Sequence, residues 1–202
     1  MRVTVIDYKA GNLTSVLKTL RHLGAETIVT DGDLSLVESA ERIVLPGVGH
    51  FAATSRLDET GMTGAIRAAI ARGVPYLGIC VGMQWLFAGS TEAPDQPGLG
   101  YFSQQVTRFP ADHEKVPHVG WNQLEFAADS PLLQGVSSGE YAYFTHAWRA
   151  PVTDQTIATT RYIEPFAAAC QHRLVCGVQF HPEKSSVVGL KILRNFLEMS
   201  TC

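Results

Sequence analysis

Val74-Pro75-Tyr76-Leu77-Gly78-Ile79-Cys80-Val81-Gly82-Met83-Gln84-Trp85 carries an apolar strand into Gly-x-Cys-x-Gly and on into a helix. This is the thiol counterpart of the Gly-x-Ser-x-Gly elbow, in which a sharp strand-to-helix turn exposes a nucleophile. Gly78 and Gly82 are expected there because such a turn crowds the backbone on both sides of the reactive residue. At the start of the following helix, Cys80 faces unpaired backbone N–H groups and the positive end of the helix dipole. Both favour a thiolate and hold anions. The competing reading is that Cys80 is a small buried residue closing a core strand. What separates the two is whether the chain also supplies a base and an orienter.

Working outward, the first half alternates strand and helix. Val3 to Ile6 is a β-branched run. Asn12 is placed to cap a helix carrying Leu13, Val16, Leu17, Leu20 and Leu23, with Gly24 as its stop. Thr27 to Thr30 reads as a second strand and Arg42 to Leu45 as a third, ending at Pro46. A helix through Ile66 and Ile70 stops at Gly73, and Val74 to Ile79 is the fourth strand. Short apolar strands alternating with helices predict an α/β fold, a mostly parallel sheet covered on both faces. The second half is strand-rich, with runs at 101–109, 119–126 and 140–148. Ser130-Pro131 marks a short helix start. Phe166 to Cys170 and Leu174 to Phe180 read as a hairpin. Ser185 or Ser186 caps a final helix with Val187, Leu190, Leu193, Phe196 and Leu197. With no repeat, linker or low-complexity segment, 1–202 reads as a single α/β domain with an antiparallel extension.

The base and the orienter come from Gly177-Val178-Gln179-Phe180-His181-Pro182-Glu183-Lys184. A strand ends at His181, and Pro182 stops the ladder. Residues two apart in extended chain face the same way, so His181 and Glu183 point together. Cys80 sulfur, His181 imidazole and Glu183 carboxylate then form a nucleophile–base–orienter set. The other histidines are His22, His50, His113, His118, His146 and His172. None of them is followed by Pro and a carboxylate after a strand, although His50, His118 and His146 lie near other unusual segments.

Composition narrows the partners. Of the 202 residues, 46% are hydrophobic and 17% charged, an ordinary globular balance, and the formal charge of −3 offers no basic stripe for nucleic acid. The apolar runs are strand-sized, so no membrane span is expected. Met1 to Asp7 reads as a strand rather than a signal peptide. The four cysteines, Cys80, Cys170, Cys176 and Cys202, have no metal-ligand spacing. They are read as reduced thiols of a cytoplasmic protein, Cys170 and Cys176 as small core residues. No metal, P-loop or dinucleotide fingerprint is present, and no cofactor is expected.

Gly78-Ile79-Cys80-Val81-Gly82-Met83-Gln84 together with His181-Pro182-Glu183 resembles the class I (triad) glutamine amidotransferases. The resemblance implies a flavodoxin-like α/β sheet and hydrolysis of glutamine to glutamate and ammonia through a glutamyl thioester. Cys80 would be the nucleophile, His181 the general base and acid, and Glu183 the orienting carboxylate. Gln84 and Gly47 would help hold glutamine. Three further segments are similar to the glutaminase subunits of imidazole glycerol phosphate synthases. They are Val5-Ile6-Asp7-Tyr8 with Gly11-Asn12-Leu13, Leu45-Pro46-Gly47-Val48-Gly49-His50-Phe51, and Lys115-Val116-Pro117-His118-Val119-Gly120-Trp121-Asn122. That branch implies a heterodimer with a (β/α)8-barrel cyclase, which takes the ammonia to make imidazole glycerol phosphate and an aminoimidazole carboxamide ribonucleotide in histidine biosynthesis. It implies Asn12, Trp121 and Lys184 near the cyclase. The Lys115–Asn122 segment weighs against glutaminase subunits for pyridoxal phosphate or aminodeoxychorismate. A free-standing γ-glutamyl hydrolase and a non-catalytic module are further alternatives.

Backbone N–H groups should stabilise the oxyanion, because they are rigidly held. Val81 N–H is one expected donor, and the Val48-Gly49 peptide provides the other. Gly47 and Gly49 would let that peptide turn when a partner binds. The chain departs from the branch in two places. Lys9 stands where Gly is usual, and Ala147-Trp148 follow His146 where Ser or Thr and then Tyr are common.

Overall fold

The computed structural model describes residues 1–10, 13–110 and 114–200. The Asn12 cap and interface assignment, His113 and Cys202 lie outside them. In chain order the elements are β1 (Arg2–Ile6), α1 (Leu13–His22), β2 (Glu26–Thr30), α2 (Leu34–Glu38) and β3 (Ile43–Gly47). Then come α3 (Ser55–Glu59), α4 (Met62–Ala71), β4 (Tyr76–Cys80), α5 (Val81–Gln84), β5 (Gly89–Ser90) and β6 (Gln105–Arg108). The second half adds β7 (His118–Gln123), β8 (Glu125–Phe126), β9 (Tyr141–His146), β10 (Trp148–Arg149) and β11 (Thr156–Arg161). It closes with β12 (Pro165–His172), β13 (Val175–Val178) and α6 (Ser186–Glu198).

Eight strands form the central sheet in the order β2-β1-β3-β4-β13-β12-β11-β8. The first five are parallel and the last three antiparallel. The parallel part has the flavodoxin-like order 2-1-3-4-5, in which ligands bind beyond the carboxyl ends of the strands. The sheet's α/β character, its helices and its antiparallel extension follow the expectation. Its centre reads as continuous apolar sequence because strands covered on both faces have no solvent side. Every residue of β3, β4 and β13 is buried.

Register does the positioning. Gly47 on β3 sits beside Cys80 on β4, and Val178 on β13 sits beside Ile79. The next residue of β13, Gln179, therefore emerges next to Cys80, with His181 two residues beyond. A separate two-stranded ribbon, β7 with β9, pairs His118 with His146 and Trp121 with Tyr143. It is stitched to the catalytic end by His181 N–H donating to the Tyr143 carbonyl at 2.8 Å.

Some elements differ from the sequence reading. The strand expected over 101–109 shrinks to β6, and the run at 119–126 is split into β7 and β8 around the buried Leu124. α2 and α3 had no signal because five residues give too few helical periods, and β11 had none because its Thr-rich run is weakly patterned. Ser130 does accept from Leu132 N–H, but the turn it starts, Pro131–Leu133, is a 3-10 helix. Ser185 stands at the start of α6, yet its hydroxyl makes no cap. It donates to the His181 carbonyl at 2.6 Å and accepts from Tyr143 N–H at 2.9 Å. Val187, read as part of the apolar stripe, is exposed. Lys9 has φ of 62°, the left-handed region where glycine is at ease. Its ammonium bridges Asp7 and Asp31 across the surface, at 3.1 and 2.8 Å.

Candidate active site

The elbow is sterically enforced. Cys80 has φ 55° and ψ −108°, outside the regions ordinary residues prefer. A Cβ on Gly78 would lie 2.3 Å from the Gly82 carbonyl oxygen, and one on Gly82 would lie 1.8 Å from the Leu45 carbonyl oxygen. Both obstacles are backbone and cannot swing aside. Gly82→Ala should therefore lower stability by about 3 kcal/mol or more, at the upper end of overpacking costs. Chemical denaturation reads this out; an unchanged midpoint would mean that β3 and the elbow are free to part.

The residues expected to act together are together. Cys80 and His181 are buried, as is the Glu183 side chain. His181 Nδ1 lies 2.9 Å from Glu183 Oε1. The sequence reading put that pair on extended chain. In fact Pro182–Lys184 is a 3-10 turn, and it is this turn that brings Glu183 back to the ring. With Nδ1 committed to Glu183, Nε2 is left buried without a nitrogen or oxygen partner. The Cys80 thiol is the group whose proton interaction with the ring raises the His181 pKa, although no formed hydrogen bond joins the two in this state. Such contacts are commonly loose in a resting site and tighten with substrate. Burial alone would lower the His181 pKa; the interactions with Cys80 and Glu183, with their charges, outweigh it and raise the value to about 9. The imidazolium beside a sulfur is therefore favoured at neutral pH, the setting of an activated thiolate.

Two polar groups lie within hydrogen-bonding reach of the sulfur. The Thr145 carbonyl lies at 4.0 Å, and Gln179 Nε2 donates at 3.6 Å. Gln179 in turn accepts from Gln84 Nε2 at 3.0 Å, and Gln84 Nε2 also donates to the Trp148 carbonyl at 2.9 Å. A cavity of about 220 Å³ opens over the sulfur. It is lined by Val48, Gly49, Cys80, Val81, Gln84, Glu92 and the segment Thr145–Trp148.

Within the 47–49 turn, Val48 N–H donates to the Ala10 carbonyl at 2.9 Å. The peptide that joins Val48 to Gly49 therefore has the Gly49 N–H to offer an oxyanion, with the Val48 N–H already engaged. Gly47 is demanded by packing, since a Cβ would lie 1.9 Å from the Tyr8 hydroxyl. It does not line the cavity. Trp121 is half exposed and meets Tyr143 edge-on at 5.9 Å. Lys184 Nζ sits 5.9 Å over the same Tyr143 ring, so the two described residues expected at an interface share one surface cluster.

Glu92 and His146 escaped the sequence reading as cavity residues, and Gln179 as a neighbour of the sulfur. Gln179 follows the end of β13 and reaches the sulfur only through the register of β13 against β4. Glu92 reaches the cavity from a loop, where its Oε2 accepts from Phe51 N–H at 2.9 Å, and loops carry no periodicity. Among the described residues no cluster of His, Cys, Asp and Glu is arranged for a metal ion, and no helix is long and apolar enough to cross a membrane.

The family description "Glutamine amidotransferase class-I" matches residues 4–199. The chain belongs to the class-I glutamine amidotransferases. Its relatives in this family include three proteins named imidazole glycerol phosphate synthase subunit HisH. That of Deinococcus radiodurans is 46% identical over 96% of this chain and 92% of its own length. That of Methanopyrus kandleri is 44% identical over 98% of each, and that of Aquifex aeolicus 42% over 97% and 96%. Among solved structures, one described as a glutamine amidotransferase superposes with a TM-score of 0.76 at 22% identity, covering 97% of both chains. Another, a glutamine amidotransferase from Thermotoga maritima, gives 0.68 at 16% identity, over 98% of this chain and 96% of its own. At such identities the likeness speaks for the amidotransferase fold alone.

Proposed function

We propose that this chain is the glutaminase subunit of an imidazole glycerol phosphate synthase. It hydrolyses glutamine and passes ammonia to a (β/α)8-barrel cyclase in cytoplasmic histidine biosynthesis. The observation that carries the reading is the full-length similarity, at 42–46%, to subunits of that name. The juxtaposition of Cys80, His181 and Glu183 supports it. The span 1–202 acts as one amidotransferase domain, with Trp121, Lys184 and Asn12 toward the cyclase. Copurification with the cyclase, followed by glutaminase assays on free and bound chain, tests it. An active chain that neither binds nor responds to a cyclase would favour a free-standing hydrolase.

The chemistry follows from the site. The Cys80 thiolate attacks the carboxamide carbon, and the carbonyl electrons move onto oxygen. The oxyanion is met by Val81 N–H and Gly49 N–H. When the tetrahedral species collapses, the C–N bond breaks, and the proton on His181 Nε2 goes to the nitrogen, which leaves as ammonia. The thioester remains. His181, now neutral, takes a proton from water as the water adds to the thioester, then returns it to sulfur as glutamate departs. Glu183 holds the ring throughout, so that Nδ1 keeps its hydrogen and Nε2 is the atom that exchanges protons.

Glu92 supplies the carboxylate of the cavity wall and is the natural partner for the substrate's α-ammonium. Hydrogen bonds to charged groups contribute about 1.5–3 kcal/mol. Glu92→Gln should thus raise KM for glutamine roughly ten- to a hundredfold with little change in kcat. Steady-state kinetics on the complex check this; a fall in kcat at constant KM would place Glu92 in the chemistry instead.

A further inference from the structure

Two buried histidines, His146 in the cavity wall and His118 behind it, have no part in the steps above. His118 and His146 are cross-strand partners on β7 and β9, set among Phe109, Phe144, Tyr162 and Phe166. His118 is stacked between Tyr162, at 4.2 Å, and Phe144, at 5.0 Å. Burial lowers both pKa values, that of His118 to about 4 and that of His146 to about 3. The His181 imidazolium and the Arg149 guanidinium oppose a charge on His146 as well, and the Trp148 carbonyl only partly offsets this. Both rings are therefore neutral at working pH. An aromatic cluster is filled as well by phenyl groups, which carry no desolvation cost. What the imidazoles add is their hydrogen bonds.

Those bonds run one way. His146 Nδ1 lies 2.8 Å from the Trp148 carbonyl oxygen, which only accepts, so Nδ1 carries the hydrogen and Nε2 does not. His118 Nδ1, 3.2 Å from that Nε2, must then donate to it. His118 Nε2 is left as an acceptor, and Asn122 Nδ2 donates to it at 3.3 Å. The Asn122 amide is itself oriented, because Nδ2 also donates to the Arg161 carbonyl at 3.0 Å and its oxygen accepts from Gln123 N–H at 2.8 Å. At the far end, the Trp148 carbonyl that receives His146 also receives Gln84 Nε2. Through Gln84 and Gln179 the chain reaches the Cys80 sulfur.

We propose that Asn122, His118 and His146 are positioning residues for the Cys80 centre, a one-way hydrogen-bonded chain from the β7–β9 ribbon that holds the Trp148 carbonyl and, through it, the Gln84 and Gln179 amides. None of the three touches a reacting atom. Their effect is to keep both hydrogens of the Gln84 amide committed and the Gln179 hydrogen aimed at sulfur. The ribbon also bears the exposed Val119 and Trp121, which alternate with His118 and Asn122, so the chain begins on the strand whose opposite face is read above as cyclase-side. The inference rests on that reading for its kinetic test.

The test compares His118→Phe, which keeps the stacking and removes the donor, with His118→Asn, whose amide replaces the Nδ1 donor. In the complex with cyclase, His118→Phe should lower glutamine-dependent kcat roughly tenfold, the loss of about one oriented hydrogen bond. KM and ammonia-dependent synthesis should stay within twofold, and His118→Asn should recover most of the rate. Nitrogen-15 shifts of the wild-type rings should show hydrogen on Nδ1 of both. An unchanged kcat in His118→Phe, an equal loss in His118→Asn, or hydrogen on His146 Nε2 overturns the proposal. A wild-type complex without glutaminase activity would sink the proposed function; the ring-nitrogen shifts would still decide the chain.

Discussion

Cys80→Ala is expected to abolish glutamine-dependent synthesis, by on the order of 10⁴-fold or more, while synthesis from added ammonium salts survives. The magnitude follows from the nucleophile's place in a unit. Without the sulfur there is no thioester, and His181 and Glu183 have nothing to activate at the right distance. Survival of the ammonia route follows from the division of labour, since ammonia enters after the step that Cys80 performs. The substitution is small, and the side chain it shortens lies at the end of β4, so assembly should be intact. Loss of both routes would mean that Cys80 supports folding or docking and not chemistry.

The same variant has a second readout. Cys80 is the first of the two partners that raise the His181 pKa to about 9. Removing it leaves burial, which lowers the value, opposed by Glu183 alone, so the His181 titration should move down. The sign for stability follows. A histidine whose folded pKa lies above its ordinary 6.5 contributes stability that is full below pH 6.5 and lost as pH rises through about 9. Cys80→Ala should flatten unfolding free energy against pH across that window. A slope equal to that of the parent would show that the imidazolium draws its stabilisation from elsewhere.

How far such residues can be read from sequence depends on the interaction that places them. Cys80 and its glycines were legible because a strand-to-helix turn leaves a local signature, and the steric reasons are local too: Gly78 against Gly82, Gly82 against Leu45. His181 and Glu183 were legible as a pair for a reason that the fold then changed. Pro182 ends the strand, but a 3-10 turn, not extended chain, closes the 2.9 Å contact. The parallel strands were legible through their apolar runs, whereas β11, an inner strand of the antiparallel part, offered only Thr156-Ile157-Ala158-Thr159-Thr160-Arg161 without strong patterning. Gln179, Glu92 and the His118–His146 pair depend on register between distant strands, or on a loop folding back. Spacing along one chain does not encode that. Lys9 shows the converse: a substitution that looks like added stiffness is a lysine held at a glycine-like φ, tied down by Asp7 and Asp31.

Glutamine turnover by the free chain is expected to fall about 10²–10³ below that of the complex with cyclase and its nucleotide, the cost of one missing oxyanion donor. The peptide in question joins Val48 to Gly49. Val48 N–H is fixed to the Ala10 carbonyl, and Gly47 is wedged under the Tyr8 hydroxyl and the Val81 side chain. Rotation must therefore be taken up on the Gly49 side. There the nearest atom to a new Cβ is the Ala10 oxygen at 3.7 Å, an ordinary contact. Gly49→Ala should thus leave the free chain folded and its low basal rate unchanged. If turning the peptide takes Gly49 through positive φ, the Cβ costs about 1–2 kcal/mol there, and the partner-stimulated rate should drop roughly tenfold. Gly47→Ala differs: it forces the Tyr8 ring or the elbow to move and should destabilise the fold itself. The physical rationale for such a switch is that untimed hydrolysis would release ammonia to water, where it is lost to the cyclase. Equal turnover by free and bound chain would sink it. Stimulation that survives Gly49→Ala at full strength would place the moving part elsewhere, with Val81 as the remaining expected donor.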